Sequence, residues 1–374
     1  MGKKRIAIFA ENLYGGGVEK ILQIICGNFD YTRYDVTLYA SRREAMPVGT
    51  YPESLTIKYI FSNGNGFWSK LKNKIKLLVY YHCSPSFYYK LFIRETYDVG
   101  IAFIEGYATR FLSGAPKEMK KIAWLHTDIE NNHWTDVAFH DRTDEKACYQ
   151  AFATVVCVSN IVEKRAKEFL ELTNTMVLQN PIETEKIHEL SNDAMGVPKQ
   201  HGLRIVSIGS LIQVKGYDRL LKAVKKLKAD NMDFELLILG DGVERGTYET
   251  YIEKNNLNDN VKLIGFVDNP YPLLKSADVY VCSSYAEGFN TAITEALVLG
   301  RAIVATEVSG VREQLGLSCE YGIIIENSED GIYSGLKQMM QPGCIEYYQS
   351  QAKKRGKTFS LDNQMCKIYN LIES

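Results

Sequence analysis

Short apolar, β-branched runs recur along the chain, and segments with helical periodicity lie between most of them. The runs are "RIAIFA", "DVTLYA", "DVGIAF", "KIAWLH" and "TVVCVS", then "RIVSIGS", "ELLILGD", "KLIGF", "DVYVCSS" and "AIVATEV". "EKRAKEFLEL" and "DRLLKAVKKLKAD" are typical of the segments between them. Strands that are apolar along their whole length are buried on both faces, and regular alternation with helices implies β-α-β units and parallel sheets. The expected fold class is therefore α/β. At 374 residues the chain exceeds the size at which one core keeps growing. Two domains of roughly 170 to 190 residues, with a cleft between them, are expected.

The boundary falls between Asn180 and Gly202, where "NPIETEKIHELSNDAMGVPKQHG" carries proline, asparagine and charge but no strand-like run. Expected domains are 1–180 and 203–355. The tail from about Phe359, "FSLDNQMCKIYNLIES", has apolar residues at helical spacing and is expected to pack back on the first domain. A net charge of -1 argues against bulk nucleic-acid affinity. Eight cysteines without C-x-x-C spacing, several inside apolar runs, read as reduced core residues of a cytoplasmic protein. The N-terminus has only a five-residue apolar run, and no stretch approaches the ~18 apolar residues of a membrane span. Neither a signal peptide nor a spanning helix is expected.

Four places can carry chemistry. After the first run, "ENLYGGGVEK" sets Gly15, Gly16 and Gly17 before an amphipathic helix, so a phosphate or sugar can approach the backbone amides at its positive end. A tight turn is the plainer reading. It is not a dinucleotide fingerprint, because Lys20 stands where G-x-G-x-x-G needs its last glycine. Lys215 and Gly216 precede a helix in the same way in the second domain, where a cation and free amides can converge on an anion. His126 directly follows the run "KIAWL", at the ligand-binding edge of the first sheet rather than within its core.

The fourth is "EGFNTAITEALVLG", residues 287–300, with two glutamates eight positions apart. Gly288 reads as the loop's flexible point, Asn290 as a helix cap and Gly300 as its close. If the path is near-helical, Glu287 and Glu295 stand roughly 12 Å apart. A glycosidase acid/base pair needs about 5 to 9.5 Å. That spacing suits holding two ends of one extended ligand.

Taken together, "GGGVEK", "WLHTD", "VSN", "IGSLIQVKGYDRLLKA", "LLILGDG", "VKLIGFVDN" and "ADVYVCSSYAEGFNTAITEALVLGRAIVATEVSGVRE" closely resemble the retaining glycosyltransferases of family 4. The similarity spans the chain and is densest over residues 204–315. The resemblance implies the GT-B fold: two Rossmann-like, doubly wound parallel-sheet domains facing across a deep cleft. It also implies that Glu295 binds the ribose hydroxyls of a nucleotide-sugar, expected to be a UDP-sugar, and that Glu287 holds hydroxyls of the donor sugar. Lys215 would neutralise the diphosphate, aided by amides around Phe289, Asn290 and Thr291 at the helix start. Gly16 and Gly17 would approach the diphosphate and donor sugar, with His126 beside the reacting carbon. Gly265 and Phe266, in "IGFV", would flank the base.

Ser210 departs from the family, which usually has arginine there. A serine brings one hydrogen bond and no charge. With no carboxylate placed as a nucleophile, the resemblance implies front-face substitution, in which the departing phosphate helps deprotonate the acceptor. No D-x-D motif occurs, so neither a metal nor a cofactor is expected.

Acceptors in this fold bind mainly to the first domain. There, residues 67–94 hold four lysines within seven positions, flanked by Trp68 and further aromatics. Such a segment can dock on an anionic membrane surface, or it can be a surface helix with solvated lysines and core aromatics. Docking would suit a lipid-linked saccharide acceptor in bacterial polysaccharide assembly. The polar loop "DIENNHWTDVAFHDRTD", with Trp134, suits sugar binding or simple solvation. The alternatives to a hexosyltransferase are a GT-B epimerase or phosphorylase, and a catalytically weak nucleotide-sugar-binding protein or partner subunit.

Overall fold

A computed structural model describes residues 2–41, 43, 50–61, 67–194 and 197–374. It comprises two compact units, Met1–Pro181 with Asp362–Ser374, and Ile182–Leu361. The first unit is built on seven parallel strands: β1 (Lys4–Ala10), β2 (Tyr34–Ala40), β3 (Thr56–Tyr59), β4 (Val99–Ala102), β5 (Lys120–Leu125), β6 (Thr154–Cys157) and β7 (Thr175–Val177). Their order is β3-β2-β1-β4-β5-β6-β7. The second unit has six: β8 (Leu203–Ile208), β9 (Phe234–Leu239), β10 (Val261–Gly265), β11 (Val279–Cys282), β12 (Ala302–Thr306) and β13 (Ile323–Ile325). They also pair in parallel, in the order β10-β9-β8-β11-β12-β13.

The runs form strands because both faces of each sheet are covered. Along β9, Leu236 and Ile238 pack with Leu220 and Val224 of helix Tyr217–Ala229, while Leu237 and Leu239 pack on the other side with Ile293 and Leu297 of helix Thr291–Val298. Three strands, β3, β7 and β13, are absent from the sequence reading; they are only four, three and three residues long and lie at sheet edges. The stretch between Asn180 and Gly202, read from sequence as a connector, carries helix Thr184–Leu190, whose Ile187 is buried in the core of the second unit.

Helix Leu361–Glu373 belongs to the first unit. Its Tyr369 ring stacks on Tyr34 with centroids 5.5 Å apart, and Glu373 pairs with Lys4 at 2.8 Å and accepts from the Tyr34 hydroxyl at 2.6 Å. In each sheet the chain moves outward from one strand, then jumps to that strand's other side. The order therefore reverses between β1 and β4 in one unit and between β8 and β11 in the other. Such a switch point leaves a crevice at the strands' carboxyl ends.

One charged pair lies inside the second unit's framework. Arg204 of β8 and Glu235 of β9, both fully buried, meet at 2.8 Å, and Arg204 also donates to the Ser276 hydroxyl. Removing the carboxylate leaves a buried guanidinium uncompensated. Glu235→Ala is expected to destabilise the protein by about 3–5 kcal/mol, read by denaturant unfolding; a change below about 1 kcal/mol would show that water reaches Arg204.

Candidate functional site

At the β8/β11 switch point, a short 3-10 turn (Gln213–Lys215) is followed by Gly216 in the left-handed region, φ 66° and ψ 25°. Glycine is needed here twice over. The backbone favours no side chain, and a Cβ would stand 2.1 Å from the Ser283 carbonyl oxygen. This close approach brings the turn against the loop that leaves β11. Lys215 Nζ then meets Glu287 Oε1 at 2.7 Å. The same oxygen accepts from the Ser284 hydroxyl at 2.6 Å and from Asn290 Nδ2 at 3.1 Å. Burial alone would lower the basicity of Lys215, but the charge and hydrogen bond of Glu287 outweigh it and hold the lysine above its ordinary value.

Asn290 does two jobs. Its Oδ1 accepts from the Ile293 amide at 3.2 Å, capping helix Thr291–Val298, while its Nδ2 orients Glu287. Residues 287–290 are a loop, with Asn290 extended at φ -72° and ψ 106°, so the near-helical path assumed for the two glutamates does not hold; only Glu295 lies on the helix. Gly288 is not in the left-handed region either. It is buried, and a Cβ on Gly310, which has φ 81°, would stand 2.9 Å from the Gly288 carbonyl oxygen, so it is at Gly310 that a small residue is required. Glu295 is buried, and its Oε1 accepts from the buried Tyr271 hydroxyl at 3.4 Å. Phe289 is buried, whereas Ser210, just past β8, and Phe266, just past Gly265 of β10, are exposed.

In the first unit, Gly15 has φ 107°, Gly16 is the N-cap and Gly17 opens helix Gly17–Gly27. Glu19 projects over this end: its Oε2 lies 2.1 Å from where a Gly16 Cβ would be. The helix start thus already has a carboxylate beside its amides. His126 follows β5, as expected from the sequence, but its ring is buried within 4.9 Å of the Phe103 ring and stacked at 6.3 Å on Trp124. Its Nε2 lies 2.8 Å from the Phe103 carbonyl oxygen, which can only accept, so Nε2 carries the proton. Burial pushes its pKa down to about 4, so the ring is neutral near pH 7, and among the described residues the buried acceptor Nδ1 has no donor.

Two carboxyls escaped the sequence reading although each closely follows a strand at the β1/β4 switch point. Glu105 is buried and accepts from the His126 amide at 3.1 Å and from the Thr127 hydroxyl. Glu11 is raised to about 7 by burial, then by the charges of Glu105 and Glu19, against a hydrogen bond from the Tyr107 backbone. Ser284 and Tyr271 were also missed; only their places near Glu287 and in a helix after "IGFVDNP" could have signalled them.

The lysine-rich stretch forms helices Phe67–His82 and Pro85–Phe92. The side chains of residues 67–69, Trp68 included, lie outside the described residues. Tyr80, Tyr88 and Tyr89 are core, and Lys76 turns inward to the Ile60 carbonyl and the Phe92 ring. Leu71, Ile75, Leu78, Phe87 and Leu91 are instead exposed, beside exposed Lys70, Lys72, Lys74 and Lys90. No aspartate or glutamate occurs from residue 54 to 94. In the polar loop, Trp134 is partly exposed and its Nε1 donates to the Thr127 hydroxyl at 3.2 Å. Among the described residues, no helix is long and apolar enough to cross a membrane.

The two doubly wound parallel-sheet units have the GT-B fold. Residues 196–355 match the model of the family described as Glycosyl transferases group 1. The N-acetylgalactosamine-N,N'-diacetylbacillosaminyl-diphospho-undecaprenol 4-alpha-N-acetylgalactosaminyltransferase of Campylobacter jejuni is 32% identical over 186 residues, 49% of each chain. The phosphatidylinositol N-acetylglucosaminyltransferase GPI3 subunit of Saccharomyces cerevisiae is 31% identical over 169 residues, 43% of this chain and 37% of its own. The chain thus spans about half the length of the first relative and just over a third of the second. The crystal structure of Anabaena HepE in complex with UDP and glucose has the same fold, with a TM-score of 0.75 at 16% identity over 99% of both chains.

The folded chain holds the Glu11 proton more tightly than the unfolded chain does. Its stabilising effect is fully present below the ordinary carboxyl value of 4.5 and is lost as pH rises through about 7. Glu11→Gln removes this dependence, so its melting temperature relative to wild type should rise between about pH 5 and pH 8. A constant difference would mean that Glu11 is ionised throughout.

Proposed function

We propose that the chain is a retaining glycosyltransferase that moves a hexose or N-acetylhexosamine from a UDP-sugar to a saccharide or lipid-linked saccharide. The observation that carries this reading is the Lys215–Glu287 pair at the β8/β11 switch point, beside the start of helix Thr291–Val298. Three donors on Oε1 fix the orientation of Glu287, and a sugar hydroxyl can donate to its other oxygen. Lys215 turns to the diphosphate and neutralises the charge that grows as the bond to the anomeric carbon breaks, with amides of Phe289, Asn290 and Thr291 adding to it. Ser210 contributes a hydrogen bond but no charge. Glu295 accepts from the ribose hydroxyls, and Gly265 and Phe266 flank the base.

In the first unit, Gly16 and Gly17 offer backbone room, and neutral His126 accepts a sugar hydroxyl at Nδ1. The leaving phosphate oxygen takes the acceptor's proton on the face it departs from, so configuration is retained without a carboxylate nucleophile. Lysine and amides, rather than a divalent metal, meet the diphosphate charge in this reading. UDP is assigned in line with the HepE complex. A lipid-linked acceptor agrees with the names of the Campylobacter and yeast relatives, which include diphospho-undecaprenol and phosphatidylinositol. We assign the exposed apolar and basic face of helices Phe67–His82 and Pro85–Phe92 to the cytoplasmic surface of an anionic membrane, where bacterial glycans are assembled.

A donor and acceptor screen by mass spectrometry, with UDP titration in EDTA, tests this reading. Wild type should bind UDP and turn over a donor without added metal. Glu295→Ala should weaken UDP at least tenfold, whereas Lys215→Ala should mainly lower kcat; UDP affinity unchanged by Glu295→Ala removes the ribose assignment. UDP binding with no turnover on any acceptor would make the chain a binding protein instead. Co-sedimentation should show binding to phosphatidylglycerol vesicles but not to phosphatidylcholine vesicles, lost when Lys70, Lys72 and Lys74 become glutamate. Equal binding to both lipids would remove the electrostatic docking.

A further inference from the structure

Arg219 lies in the first turn of helix Tyr217–Ala229, behind the Lys215 turn, and is buried. Its Nη2 donates to the Ser283 carbonyl at 2.7 Å and its Nη1 to the Asn327 carbonyl at 2.8 Å. Its guanidinium carbon sits 3.6 Å from the centroid of the Tyr285 ring. Tyr285 is held in turn: its amide donates to the Val214 carbonyl at 2.8 Å, its carbonyl accepts from Asn327 Nδ2 at 2.9 Å, and its hydroxyl donates to Asp218 at 2.9 Å. Ser283 closes the loop by donating its hydroxyl to the Lys215 carbonyl at 2.9 Å. Nη2 is also 3.1 Å from the place a Gly216 Cβ would occupy.

One planar cation therefore joins three separate stretches: the turn that carries Lys215, the loop from Ser283 to Glu287, and Asn327. Burial disfavours its charge, and the nearby Asp218 and Tyr285 only partly offset that cost. An apolar side chain could fill the space. It could not donate in two directions while stacking on a ring, which is what a guanidinium does and an ammonium does not. Ser284 and Glu287 flank Tyr285 in the clamped loop, so the place of the Glu287 carboxylate relative to Lys215 depends on that clamp.

We propose that Arg219 is a positioning residue for the diphosphate-sugar site: it locks the Ser283–Glu287 loop onto the Lys215 turn so that Lys215 and Glu287 address one donor. This rests on the donor reading given above. The ligand makes no direct contact with Arg219.

The test compares Arg219→Gln and Arg219→Lys with wild type, using UDP titration, UDP release from UDP-glucose or UDP-N-acetylglucosamine, and hydrogen exchange of residues 283–287. In Arg219→Gln, kcat should fall at least tenfold and the loop amides should exchange at least tenfold faster, while UDP affinity stays within threefold. Arg219→Lys should lose less of kcat, because an ammonium can still reach one carbonyl. Unchanged kcat and exchange in Arg219→Gln overturn the proposal, as does a loss of UDP affinity in proportion to kcat. If Arg219→Gln does not fold, Arg219→Lys decides: at least threefold lower kcat with faster loop exchange supports positioning, and wild-type values of either overturn it. A wild type that binds no UDP and releases none overturns the donor reading as well, a result distinct from variants that behave like an active wild type.

Discussion

Both sheets are covered by helices on their two faces, and this burial leaves polar chemistry almost nowhere to go along the strands. Apolar side chains occupy the interior of β1, β9 and β11. Hydrogen-bonding and charged groups collect where the strands end, and above all where strand order reverses, because there two neighbouring loops part instead of crossing over each other. The positions of Lys215 and Glu287 after β8 and β11, and of Glu11 and Glu105 after β1 and β4, follow from that single constraint.

The two switch points differ in sign. In the second unit a lysine faces a glutamate at 2.7 Å, and the glutamate's charge and hydrogen bond hold the lysine above its ordinary value despite its burial. In the first, two carboxyls sit at adjacent strand ends, and burial with like charge pushes Glu11 toward neutrality. There the buried Glu105 accepts from the Thr127 hydroxyl, and among the described residues His126 Nδ1 has no hydrogen-bond partner.

The long central strands were legible because each is a continuous apolar run; the short edge strands β3, β7 and β13 were not, since four or three residues carry too little pattern and their partners lie far along the chain. Lys215, Glu287 and the capping Asn290 could be named from their places after strands. Their meeting at Glu287 Oε1 could not, because it depends on Gly216 letting two backbones touch. Arg219 was invisible for a related reason: in sequence it is one more basic residue on an amphipathic helix, and only the packing shows that it points inward. The lysine-rich stretch divided in a way that periodicity alone did not settle, with tyrosines buried and leucines exposed.

Helix Leu361–Glu373 completes the first unit by gripping β1 and β2 through Lys4, Tyr34 and Tyr369. A ribosome delivers those strands early and the helix only after the whole second unit has emerged. Domains usually close in the order they are made. Here the second unit can finish first, while the earlier one waits with an apolar face exposed, and that interval is when a chaperone would find this chain.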